Sequence, residues 1–141
     1  MFDSSLKLTG HLSVSINGEV VREIPNLVVT TGKNYVASRM KDATATAMSH
    51  IAIGTGSSAA AAGNTALGTE AARVALTSTT VSTNTVTYVG TFPAGSGTGA
   101  ITESGIFNAS SAGTLLCRTV FSVVSKASTD QMTITWVVTA S

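Results

Sequence analysis

Charge is scarce in this chain. Of 141 residues, 8 are Lys or Arg and 7 are Asp or Glu, leaving a formal net charge of +1. That is less than half the charged share of an ordinary globular domain. So few cations give no electrostatic footprint for nucleic acid or an anionic membrane. Colloidal repulsion is also small, which fits a surface covered by partners. Cysteine is nearly absent. Cys117 stands alone, so no intrachain disulfide can form and no oxidising compartment is needed. Its place in Leu115-Leu116-Cys117-Arg118 reads as a small half-buried strand residue. His11 and His50 are the only imidazoles, and neither has a Cys, His or carboxylate at zinc-ligand spacing. No G-x-S-x-G elbow supports a nucleophilic triad. No apolar run approaches the ~20 residues of a membrane span. Residues 1–16 lack a basic start followed by an unbroken apolar stretch, so synthesis in the cytoplasm without a signal peptide is expected. Catalytic residues, metals and cofactors are accordingly not expected, and the chain reads as a contact protein rather than an enzyme.

Ser, Thr, Ala and Gly take the place of the missing charges. Thr is β-branched and suits a pleated, half-wet surface, so the composition favours strands. Leu6, Leu8, Leu12, Val14 and Ile16 alternate with polar residues, the period of a strand with one wet face. Gly10 predicts a bulge or bend within it. Asn17-Gly18 is a hairpin signal, because a type I′ turn needs positive φ at both central residues. Residues 19–24 form the return strand, Pro25 interrupts it, and Leu27-Val28-Val29 resumes extended structure. Tyr35, Val36 and Met40 then fall at helical spacing behind a threonine cap, which predicts one short helix near residues 31–40.

Residues 50–53 read as a brief strand and residues 54–68 as a long Gly-, Ser- and Ala-rich loop with room for one helical turn. Long loops in compact domains are usually functional or disordered. Gly54, Thr55, Gly56, Ser57 and Ser58 are therefore the first internal candidates for a contact surface. Gly54 to Ala59 also fits G-x-G-x-x-A, but a dinucleotide site needs a following helix in a βαβ unit, and more loop is expected here. Strands are expected over residues 71–80, 86–92, 101–108, 115–124 and 132–139. That spacing of turn signals argues for a sandwich or barrel in a single domain, 1–141. Phe2, Tyr35, Tyr88, Phe92, Phe107, Phe121 and Trp136 are the aromatics, mostly on strands and so mostly core. A sugar platform would need Trp136 or Tyr88 exposed. Glu103 is expected to pair with Arg73 or Arg118, since a half-buried carboxylate without a partner is costly.

Three stretches carry a family resemblance. The first is Ile24-Pro25-Asn26-Leu27-Val28-Val29-Thr30-Thr31-Gly32-Lys33-Asn34. The second is Ile51-Ala52-Ile53-Gly54-Thr55-Gly56 with Thr65-Ala66-Leu67-Gly68-Thr69-Glu70 and Arg73. The third runs from Ala100 through Glu103-Ser104-Gly105-Ile106-Phe107-Asn108 to Leu115-Leu116-Cys117-Arg118 and Ile134-Thr135-Trp136. This order resembles the capsid cement, or decoration, proteins of tailed bacteriophages, and is most similar to those of the Bordetella podovirus group. Similar segments occur in tail-fibre, tail-tip and baseplate modules. The resemblance implies an all-β, jelly-roll-like antiparallel β-sandwich on the outer surface of a capsid. The implied partners are the phage major capsid protein and a second copy of the chain, with a homodimer ahead of a trimer. It implies no catalytic residue. Gly54, Gly56, Glu70, Arg73, Glu103, Gly105 and Arg118 match its motifs as fold determinants. The expected contact elements are unpaired strand edges, the 54–68 loop and an extended N-terminal arm formed by Met1, Phe2, Asp3, Ser4 and Ser5.

Overall fold

The computed structural model describes residues 6–141, so the expected arm, residues 1–5, lies outside the described residues. Period-two patterning produces nine strands: β1 (Leu8–Ile16), β2 (Glu19–Val28), β3 (His50–Gly54), β4 (Glu70–Ala75), β5 (Ser78–Ser82), β6 (Thr85–Phe92), β7 (Gly99–Phe107), β8 (Leu115–Lys126) and β9 (Met132–Ala140). One helix, α1 (Thr30–Lys41), interrupts them. All pairings are antiparallel, in the order β4-β3-β7-β8-β2-β1-β9-β6-β5. The sheet curls so that its two ends face each other. Ile51 of β3 and Val74 of β4 reach across to Gly90 of β6. The all-β, sandwich-like architecture with a single short helix is thus the one expected.

β2 belongs to both layers. Up to Asn26 it pairs with β1, and at Leu27 and Val28 it pairs with β8. Pro25 sits just before the switch, where its missing N–H costs no ladder bond on the far side. The core between the layers holds Leu12, Val14, Ile51, Ile53, Phe92, Ile101, Ile106, Met132, Ile134 and Trp136, all fully buried. Asn17 (φ 51°) and Gly18 (φ 86°) adopt the paired positive φ of the expected hairpin turn.

Several expectations are corrected. Gly10 is not a bulge, because it pairs in register with Asn26 and Val138, and the irregularity falls between Val14 and Ser15. Its missing side chain instead makes room for the Asn26 carboxamide, which would overlap a methyl there. The single strand expected over 71–80 is two strands at opposite ends of the sheet. The break comes at Leu76 and Thr77, whose N–H groups donate to Ser49 O and to Val89 O respectively, so the chain crosses between layers at that point. No threonine caps α1. Val29 occupies the cap position without a side-chain bond, and the Thr31 hydroxyl donates to Leu115 O at 2.8 Å. Met40 does not join the buried helix face and is 82% exposed. Gly32 is the helix residue that is buried, pressed on the Leu116 backbone of β8.

Candidate functional site

The motif residues converge on the outer face of the β3–β7–β8 layer. The pairing register shifts between Ile101 and Glu103, and such a shift reverses which side a residue faces. Ile101 therefore enters the core while Glu103, two positions on, points outwards beneath the 55–69 loop. Glu103 is fully buried there. Its Oε2 accepts from Gly56 N at 2.6 Å and Thr69 N at 2.7 Å. Its Oε1 accepts from Gly68 N at 2.8 Å and from Arg118 Nε and Nη2 at 3.1 and 3.0 Å. Arg118 is itself 2% exposed, and it reaches on to Asn64 Oδ1 and Ser58 O, both at 3.0 Å. One ion pair thus ties three separate points of the loop to two strands.

This arrangement explains the glycines. A methyl on Gly56 would collide with the Glu103 carboxylate, and one on Gly54 with Thr69 O. A methyl on Gly105 would come within 2.8 Å of Leu67 Cδ2 and 2.9 Å of Leu115 Cδ1. Gly-Thr-Gly is therefore the footprint of a carboxylate seated against backbone, not of a phosphate. Thr55, Ser57 and Ser58 are exposed while Gly54 and Gly56 are buried, so the expected contact loop divides into a surface row and a fixed base.

Glu103 pairs with Arg118, not Arg73. Arg73 forms a two-pronged pair with Glu70 at 2.9 and 2.7 Å, stacks on Phe107 at 3.8 Å, and donates to Ala109 O and Ala112 O. The Ser49 hydroxyl lies 2.7 Å from His50 Nδ1. Cys117 is fully buried, beyond the half-burial expected. Burial pushes its thiol up to about 12. Trp136 is fully buried and Tyr88 is 8% exposed, which removes the two rings a glycan platform would have used. Among the described residues, no three His, Cys, Asp or Glu side chains are grouped to hold a metal ion, and no helix is long and apolar enough to cross a membrane.

Burial alone raises the Glu103 carboxyl, but the N–H groups of Thr69 and Gly68, the Arg118 guanidinium and the Gly56 N–H outweigh it. The net shift is below the ordinary value of 4.5. A carboxyl depressed on folding adds stability that is complete above its unfolded value and is lost as pH falls through its folded one. The group's contribution is therefore flat at neutral pH and disappears in the acid range below about pH 4.5. The acid limb of a denaturation-midpoint profile should be shallower in Glu103→Gln than in the parent. Parallel acid limbs would remove Glu103 from the acid sensitivity.

A second surface was not anticipated as a unit. On the outer side of the other layer, hydroxyl side chains line up across strands. Thr85, Thr139 and Thr9 form one row, and Thr91, Thr133 and Ser15 another. The hydroxyls of Thr91 and Thr133 lie 3.3 Å apart. Residues 74–102 carry no charged or histidine side chain, so β5 and β6 are neutral throughout. The signal was present in the alternating threonines, but the rows needed the strand order.

No family model, curated protein or solved structure matches the chain.

Proposed function

We propose that the protein is a virion structural protein of a tailed bacteriophage, a cement that binds the outside of the head and bridges major capsid protein subunits. The observation that carries this reading is the convergence of the resembling stretches. The glycines near residue 54, the segment 65–70, Glu103 and Arg118 lie far apart in sequence, yet they build one stapled loop. A shared pattern of that kind specifies a scaffold rather than a reaction. The outer face of β5, β6 and β9, which carries no charged side chain, adds a surface that can meet a partner without desolvating charge.

Cementing needs only modest affinity per copy. Each bridge ties two subunits already held in a lattice, so the second contact forms at high effective concentration. The staple serves this role by holding the exposed Thr55, Ser57 and Ser58 in fixed positions, which lowers the ordering cost of binding. Quantitative mass spectrometry of purified parent virions tests the proposal. Copies on the order of hundreds per particle are expected for a lattice-wide cement. A few to a few dozen copies would place the chain in a tail fibre, tail tip or baseplate, and its absence from the particle would overturn the virion reading.

A further inference from the structure

The β1–β2 turn is tied to the turn between β8 and β9 through one side chain. The Asn17 carboxamide uses both of its ends. Its Nδ2 donates to Asp130 Oδ1 at 3.0 Å, and its Oδ1 accepts from Gln131 N at 3.0 Å. Beside these bonds, Asn17 N donates to Gln131 O at 2.9 Å. Asp130 is committed in turn, since its Oδ2 accepts from Ala127 N at 2.8 Å. That N–H, and then the Asn17 side chain, hold the Asp130 carboxyl below the usual carboxylate range, so it is ionised at neutral pH. Asn17 and Gly18 are both exposed. Of the six asparagines in the chain, only Asn17 is followed by glycine. The latch therefore rests on the one asparagine whose neighbouring backbone nitrogen carries no side-chain hindrance, at a position where even an added Cβ would meet open space.

We propose that Asn17 is a site of spontaneous deamidation, and that the reaction irreversibly releases this latch. The chemistry needs only water. Gly18 N gives up its proton to hydroxide and attacks Asn17 Cγ. The new C–N bond closes a succinimide ring, and the side-chain nitrogen leaves as ammonia with a proton from solvent. Water then opens either ring carbonyl, leaving an aspartate or an isoaspartate linkage at position 17. In the folded chain Asp130 and Gln131 hold the carboxamide across to the other turn. Ring closure requires it to leave both and fold back over its own backbone, so local opening of the latch sets the rate. The product reverses the interaction. An amide donor facing the Asp130 carboxylate becomes a second carboxylate, and a hydrogen bond to a charged group gives way to like charges at the same place. The isoaspartate form also adds a methylene to the backbone of a turn whose two residues hold positive φ. Both products loosen the tip of the β1–β2 hairpin from the β8–β9 turn, at a time fixed by chemistry and not by a partner. The inference rests on these two turns alone, and holds whether or not the protein occupies a shell.

Peptide mass mapping of the full chain during a timed incubation in warm, mildly alkaline buffer tests the site. Cleavage after Lys7 and Arg22 leaves Asn17 as the one asparagine of its peptide. Asn17 should convert faster than the other asparagines, and faster still in chain unfolded by urea. Asp130→Ala should accelerate conversion at Asn17 by about three- to tenfold, the worth of one hydrogen bond, and leave the other asparagines unchanged. Equal rates across the asparagines, no gain in urea, or no acceleration in Asp130→Ala would each overturn the proposal. The release is tested with the reaction bypassed. Asn17→Asp should speed amide hydrogen exchange at residues 17 and 131 by about three- to tenfold. Adding Asp130→Asn exchanges donor for acceptor, because the new amide nitrogen can donate to position 17 while its oxygen still accepts from Ala127 N. The pair should return exchange at both residues to the parent rate. Exchange unmoved by Asn17→Asp, or not recovered by the pair, would overturn the release.

Discussion

Arg118→Ala should cost about 3–5 kcal/mol of folding stability, the usual penalty for stranding one member of a buried ion pair. Glu103 would keep its bonds from Gly56, Gly68 and Thr69, but its charge would have no counter-ion in a fully buried position. Asn64 Oδ1 and Ser58 O would lose their guanidinium donor at the same time. The loss should therefore appear twice. Urea denaturation should show the lowered midpoint, and limited proteolysis should show faster cleavage within residues 55–69. A midpoint within about 0.5 kcal/mol of the parent, the range of an ordinary surface change, would contradict this. Replacing both partners sharpens the test. An apolar pair often recovers the stability of a buried ion pair, but Glu103→Met with Arg118→Met should not do so here. Three backbone N–H groups depend on the carboxylate, and each would be left without its acceptor.

Gly32→Ala should reverse the ordinary helix rule. In an exposed helix, alanine is better than glycine by about 1 kcal/mol. At position 32 the added methyl would overlap Leu116 O and lie 2.9 Å from both the carbonyl carbon and Cα of Leu116. Those are backbone atoms of a central strand and cannot swing aside. The helix must lift instead, stretching the bonds of Val29 N to Leu116 O and of Thr31 Oγ1 to Leu115 O. A net loss of about 1–3 kcal/mol is expected for overpacking of this kind. Amide hydrogen exchange should locate it, with faster exchange along α1 and little change in β9. Stabilisation by this substitution would mean that the helix does not seat on β8 through Gly32.

What the sequence made legible follows from locality. Alternation at Leu12 and Val14, the Asn17-Gly18 turn and the helix beginning near residue 30 depend on neighbours a few positions away, and all three are present. The role of Gly10 is not legible from its neighbours because its reason lies on another strand, in the space taken by Asn26. The β4–β5 break is hidden for a similar cause, since residues 71–80 hold no Gly, Pro, Asn or Asp to mark a turn and only the positions of Ser49 and Val89 divide them. For the site, scarcity of charge was informative. With so few cations, Glu103 had few possible partners, and Arg118 was among those named. The three loop N–H donors were not legible, because they depend on the shift after Ile101 that turns Glu103 to the outer face.

The position of β9 also governs the order in which the sheet can be assembled. It lies between β1 and β6, pairing Leu8 with Ala140 on one side and Thr85 with Thr139 on the other. The β1–β2 and β5–β6 hairpins can each close as soon as they are made, but no strand pairs with both until β9 arrives. During synthesis on a ribosome, no continuous hydrogen-bond ladder can run from β1 to β6 until residues 132–140 have left the exit tunnel.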